Sequence, residues 1–295
     1  MKQPKVELAK VRDFSAIIND SFLFLKQNFK PLLRSFFTFC GFFLVASVVT
    51  SILQQLKMHE LLTENGLDSM SSNKVYGYIK TWGWEAAFSV LFMLLTYTAL
   101  PVTVLCYIAI YKEKGNIPPT NEEMWGYIKY YFLKSLGSII LCFIVIMIGF
   151  VFCIIPGFWL YPIMSLVLPI IIMENATIGY AFNQSFRLIK DNWWMTFGAL
   201  FIMGFIVGIC GAIVTVPAAL WSQFSILLHW PGGKIATILS GVLSHVALVL
   251  YILPVITLAL CYFSLNEQKE GTGLMARINQ IGDNKSDSNL PAEEY

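Results

Sequence analysis

Five stretches of this chain carry no Asp, Glu, Lys or Arg: 35–56, 86–111, 135–173, 192–233 and 235–266. Crossing the roughly 30 Å hydrocarbon core of a bilayer takes about 20 apolar residues in a helix. Each stretch is long enough for at least one crossing. The same bias excludes a water-clad domain: 13% of the residues are charged and 57% hydrophobic, where a soluble domain carries about 25% charged residues. The stretch 135–173 has room for two crossings, because IIPG at 154–157 offers a turn. The expected fold is therefore an all-α polytopic membrane protein. Its six transmembrane helices are expected at 32–55, 86–110, 135–155, 158–173, 194–221 and 236–264. A re-entrant hairpin over 135–173 is the alternative, and it leaves both ends of that stretch on the same side.

Charge distribution orients the spans. Six crossings put both chain ends on one side, and sixteen of the 20 Lys and Arg residues fall there. Lys57, Lys74, Lys80 and Lys234 are the other four. Basic residues concentrate on the cytoplasmic side of membrane proteins, so both termini are expected in the cytoplasm, across a bacterial inner membrane. The opening MKQPKVELAKVRDF has no apolar signal core, so the first span is expected to be retained.

One amphipathic phrase is written twice. NDSFLFLKQNFK at 19–30 returns as NQSFRLIKDNWW at 183–194, an offset of 164 residues. Asn19, Ser21, Phe22, Lys26 and Asn28 match Asn183, Ser185, Phe186, Lys190 and Asn192. The stripe Phe14, Ile18, Phe22, Leu25, Phe29 matches Ile178, Phe182, Phe186, Ile189, Trp193. Spacings of three and four are one face of a helix, and a helix this amphipathic is expected to lie along the interface. Lys26, Phe29, Arg187, Lys190, Trp193 and Trp194 are the expected headgroup and lipid contacts. A weaker third copy at 120–136 opens on Thr120 and Glu123, a capping-box pair. The interfacial helices are thus placed at 14–30, 121–134 and 176–192. The spans that return towards the termini share another mark, Leu-Pro at 100–101, 168–169 and 253–254. Three repeated units follow, each an interfacial helix, an outgoing span and an incoming span broken at Leu-Pro.

Chemistry-bearing residues are sparse. The six cysteines (40, 106, 142, 153, 210, 261) fall inside spans without a CxxC spacing, and are expected to be buried, reduced packing residues. His59 and His229 belong to the outer side, whereas His245 falls mid-span, where an ionisable group is a functional candidate. No HExxH, GxSxG, phosphate-binding loop or paired mid-span carboxylates occur. No catalytic role, metal or cofactor is expected, and no nucleic-acid contact. Small residues at Gly204, Gly208 and Ala212, and at Ala236, Ser240 and Ser244, are spaced for close helix packing within the chain.

Residues 156–198, PGFWLYPIMSLVLPIIIMENATIGYAFNQSFRLIKDNWWMTFG, together with FSAIINDSFLFLKQNFKPLL near the N-terminus, resemble the glycerophosphoryl diester phosphodiesterase membrane-domain family. The likeness covers most of residues 13–265. It implies a helical membrane domain and no diesterase activity, because in fused members of that family the chemistry belongs to a separate soluble barrel. The longest stretches outside the spans here, 57–82 and 266–295, are too short for one.

Two functions compete at this stage. One is a non-enzymatic scaffold or partner subunit that organises lipid or other membrane proteins. The other is a transporter or lipid-handling channel with its site at the Leu-Pro breaks, since transporters place substrate at broken helices. Pro101, Pro169, Pro254 and His245 are the candidate cavity residues for the second reading. The tail 266–295 is expected to be partly disordered, with Leu274, Ile278 and Ile281 on one face as a candidate partner contact.

Overall fold

The computed structural model describes residues 4–65, 72–227 and 232–271. The tail residues Leu274, Ile278 and Ile281, and His229, lie outside the described residues. Within them the chain is all helix and short connection, without a strand. The helices are α1 (Phe14–Asn65), α2 (Ser72–Glu113), α3 (Asn121–Phe152), α4 (Ile154–Met173), α5 (Ile178–Ile189), α6 (Trp193–Leu227), α7 (Gly233–Val246) and α8 (Ile252–Glu270). A 3₁₀ turn, Ala247–Tyr251, joins α7 to α8. Six helical segments are long and apolar enough to cross a membrane, with α7, the 3₁₀ turn and α8 together making the sixth.

The helices form two layers. Over their most apolar windows, the segments that run back towards the chain ends are 44%, 56% and 61% buried (α2, α4 and α7–α8). The outgoing α1, α3 and α6 are 17%, 22% and 22% buried. A helix apolar all round belongs in a core, and residues 99–111 of α2 are buried almost without interruption. Residues 162–172 of α4 and 256–265 of α8 complete the inner layer. The outer layer shows large apolar side chains to its surroundings, among them Phe42, Val45, Phe143, Phe205 and Ile213. That is the surface a lipid bilayer covers.

Several local expectations change. The first interfacial segment does not separate from its span, because α1 runs unbroken through Pro31 for 52 residues. At about 1.5 Å per residue that is about 78 Å, more than twice the hydrocarbon thickness. The third copy is likewise continuous with α3, behind a complete Thr120–Glu123 capping box. Only the second copy is a helix of its own, α5, capped by Thr177, whose hydroxyl accepts the Tyr180 N–H.

The turn expected at 154–157 is a single extended residue, Cys153 (φ −168°, ψ 148°), and α4 begins directly after it. Pro156 falls in the first turn of α4, where a missing N–H costs nothing. Gly157 is required there: a Cβ would sit 2.5 Å from the Phe150 ring of α3. Gly241 of α7 has the same role against Ile52 of α1, at 2.7 Å. By contrast, Gly204 and Gly208 of α6 have nothing within 4 Å of a Cβ, so this small-residue stripe faces outward instead of packing within the chain. Cys153 and Cys210 are exposed on the outer layer, against the expectation that all six cysteines are buried.

The opening residues contribute to the core. Val6 and Leu8 are buried, and residues 4–12 form a strap across the first turns of α1. Arg12, 3% exposed, is held by Asp20 at 2.8 Å and by the carbonyls of Leu8, Lys10 and Glu7. Its backbone N–H donates to Ser264 of α8 at 2.9 Å. Lys5 donates to the Asn116 carbonyl in the α2–α3 connection at 2.7 Å. The strap, that connection and the end of α8 therefore meet at one end of the bundle, called here the terminal end.

Candidate functional site

The duplicated phrase is where geometry and sequence meet most closely. Its buried face lies one step round from the aromatic stripe. Ile17, Ser21, Phe24 and Asn28 of α1 are buried, and so are Ala181, Ser185 and Leu188 of α5, with Asn192 half-buried just beyond it. The two sets correspond at the 164-residue offset. The shared polar identities, Ser and Asn, thus point into protein. Asn28 accepts the Tyr107 hydroxyl of α2 at 3.2 Å and donates to the Phe24 carbonyl. Ser21 donates to the Ile17 carbonyl and accepts the Thr257 hydroxyl of α8 at 3.0 Å. In the second copy, Asn192 donates to Gln268 of α8 at 2.7 Å and Ser185 to the Phe182 carbonyl. The first copy thus ties both α2 and α8, and the second ties α8.

The stripe read as the apolar face is partly outward. Phe22 is 41% and Phe29 52% exposed. Lys26, Arg187 and Lys190 are exposed on the same surfaces. Trp193 and Trp194 divide their roles. Trp194 is 79% exposed. Trp193 is half-buried, donates its indole N–H to the Trp159 carbonyl at 3.1 Å, and stacks on Phe197 with centroids 5.0 Å apart.

The polar face is not simply solvated either. Gln27 accepts the Val6 N–H and donates to the Pro4 carbonyl, so the strap covers it. Asp191 pairs with Lys269 at 3.1 Å. Tyr262 of α8 donates to Glu174 at 2.8 Å, bridging to the α4–α5 connection. That carboxylate pushes the neighbouring Tyr180 phenol above its ordinary pKa.

None of the described clefts is lined by Pro101, Pro169, Pro254 or His245. Pro169 is buried between buried Leu168 and Ile170, half-buried Pro101 lies between buried Leu100 and Val102, and half-buried Pro254 follows buried Ile252 and Leu253. Proline removes an i−4 hydrogen bond and crowds that carbonyl. Pro254 expresses this as the 3₁₀ turn that ends three residues before it. The groove beside this break, about 250 Å³, is lined by Phe22, Leu25, Phe29, Val207, Cys210 and Leu253 among others, all apolar.

His245 lies about 13 Å up the helix from Pro254, at about 1.5 Å per residue. Its Nδ1 is 2.8 Å from the Gly241 carbonyl, and its Nε2 is 3.0 Å from Ser47 Oγ of α1. A carbonyl only accepts, which assigns the proton to Nδ1 and leaves Nε2 to accept the serine hydroxyl. Among the described residues, no cluster of three His, Cys, Asp or Glu is placed to hold a metal ion.

A second feature escaped the sequence reading. Lys30, Pro31, Arg34 and Ser35 of α1 face Pro119, Thr120 and Asn121 at the start of α3 across a cleft of about 580 Å³. On the other side of the same helix start, Glu113, Lys114, Glu122, Glu123, Tyr127 and Tyr131 line a second cleft. The Lys114–Glu123 pair, 2.8 Å, closes part of it. No protein-family model, no curated protein and no solved structure matches this chain.

Proposed function

We propose that this chain is a non-enzymatic, multi-pass protein of a bacterial cytoplasmic membrane, with both termini in the cytoplasm. In this reading it acts as a scaffold or partner subunit that organises lipid or other membrane proteins. The observation that carries this is the dryness of the inner layer. The incoming helices pack apolar side chains against one another at all three Leu-Pro positions, and the groove at the third is hydrocarbon-lined. Asn28, Ser21 and His245, which enter the bundle, are satisfied by protein partners, and among the described residues the fully buried side-chain atoms left without one are the Ser135 hydroxyl and the Asn266 amide oxygen. A substrate path needs the opposite, convergent polar groups left free for a ligand.

The channel or transporter reading has less support, because the groove beside the third break is hydrocarbon-lined and His245 is tied to Ser47 of α1. The likeness to the glycerophosphoryl diester phosphodiesterase membrane-domain family is part of the proposal, resting on the phrases at 14–33 and 156–198. Reconstituted into sealed vesicles, the protein is expected to leave ion and small-solute permeability at the level of protein-free vesicles. Selective solute flux above that level would overturn the scaffold reading.

A further inference from the structure

The cleft between α1 and the start of α3 has four properties that occur together nowhere else among the described clefts. Two cations face it, Lys30 and Arg34, and neither side chain makes an ion pair or hydrogen bond with the described residues. The opposite wall is a helix N-terminus. Its capping box satisfies the Glu123 N–H, while the Asn121 and Glu122 N–H groups precede the first intrahelical bond and are free for a ligand. The first-turn carboxylates line the other cleft, where Glu123 is paired with Lys114.

The fourth property is Ser35. It is 3% exposed, and its side chain lines the cleft. A helical serine or threonine hydroxyl ordinarily bonds back to the carbonyl three or four residues earlier, as Ser21, Thr38 and Ser138 do. Ser35 makes no such bond and has no partner among the described residues. A buried serine whose unpaired hydroxyl opens on the cleft, beside two unpaired cations and free backbone donors, makes a set of donors without an acceptor.

Depth selects the acceptor. Arg34 is the last charge before the charge-free run 35–56, so the cleft sits where that run begins. Lys30, Arg34 and Phe37 follow at spacings of four and three, one helical face. Phe37 is 52% exposed, and the next position on that face, Gly41, leaves open space beside it. Across from it, Trp125 of α3 is 59% exposed and stacks on Phe39. An anion here has an apolar track running into the bilayer directly behind it. The volume, about 580 Å³, falls in the range of about 300–1,000 Å³ of small-ligand sites.

We propose that this cleft binds the phosphate headgroup of an anionic phospholipid, with Lys30, Arg34, Ser35 and the first turn of α3 holding the phosphate oxygens. This deepens the lipid-organising reading and rests on it, although the vesicle-flux test fails or succeeds independently of the binding test that follows.

The full chain in neutral detergent is titrated with phosphatidylglycerol, phosphatidylcholine, glycerol phosphate and inorganic phosphate, with bound lipid counted by native mass spectrometry. Phosphatidylglycerol is expected to bind with at least about tenfold preference over phosphatidylcholine, whose phosphate is the same anion but whose choline cation would stand beside Lys30 and Arg34. Lys30→Gln with Arg34→Gln is expected to abolish the preference. Ser35→Ala should weaken binding about three- to tenfold, the range for one hydrogen bond. A charge-matched control, Lys10→Gln with Lys129→Gln, should bind as the native chain does.

Unchanged binding in the Lys30/Arg34 variant, or equal binding of phosphatidylcholine, overturns the site. Displacement by glycerol phosphate or inorganic phosphate at concentrations similar to the lipid's overturns the lipid assignment in favour of a soluble phosphate. If the double-charge variant fails to fold, Ser35→Ala decides: native affinity in a variant of native melting temperature overturns the proposal.

Discussion

An asparagine inside a membrane bundle is tolerated when both ends of its amide find partners, because hydrocarbon supplies none. Asn28 meets that condition through Tyr107 and the Phe24 carbonyl, and it is buried. Asn28→Ala strands the Tyr107 hydroxyl and is expected to cost about 1–3 kcal/mol, read as a lower melting temperature in detergent. Its twin Asn192 is half-exposed, so Asn192→Ala should cost less than about 1 kcal/mol. Equal losses would mean that burial does not distinguish the two copies. The tryptophan pair separates in the same manner. Trp193→Ala removes an indole hydrogen bond and a ring stack, and is expected to destabilise the fold by about 1–3 kcal/mol. Trp194→Ala should leave the melting temperature unchanged and shift the depth reported by fluorescence quenching. The polar identities of the repeat were visible in the sequence. Their inward direction was not, because periodicity locates a stripe of apolar residues and Ser21 and Asn28 lie beside it.

At the scale of elements, helix existence was legible from charge-free length, and helix junctions were not. Nothing in residues 14–34 marks a boundary except Pro31, and a proline within a helix bends it or is absorbed, according to what packs around it. α1 and α3 therefore continue into their spans. The helix after α4 separates because Asn175 adopts φ 48° ahead of it and Lys190–Asn192 form a turn behind it. Glycines show the same limit: spacing alone proposed Gly204 and Gly208 as contacts, whereas the close approaches are at Gly157 and Gly241. Gly157→Ala and Gly241→Ala are expected to lower stability by about 1–3 kcal/mol through overpacking. Gly204→Ala should be neutral or stabilising by up to about 1 kcal/mol, since alanine is the better helix former. Thermal unfolding of the three variants side by side checks this, and a destabilised Gly204→Ala would place a packing partner against that face.

Over the whole molecule, the membrane-spanning, all-α character follows from composition, and the two-layer arrangement explains the Leu-Pro marks. The incoming helices that carry them are the inner layer, more buried than the outgoing ones, so these marks belong to the more deeply packed helices. The strap of residues 4–12 was invisible to hydropathy, because Val6 and Leu8 are isolated apolar residues in a charged opening and are buried only once Arg12 has folded the segment back. The Lys30–Arg34–Ser35 cleft was equally hidden, since its opposite wall is about 85 residues away in sequence and needs α1 and α3 side by side.

The central claim is that the inner layer is dry, and the chain's own cysteines report on it. Cys106 and Cys261 lie in that layer and are fully buried. A small, charged, water-soluble thiol reagent applied to both faces of vesicles containing the protein, followed by mass spectrometry of each cysteine, is the most direct test. Cys106 and Cys261 are expected to stay unmodified until the protein is denatured. Modification of either in the folded protein would reveal a water path through the incoming helices and contradict the account.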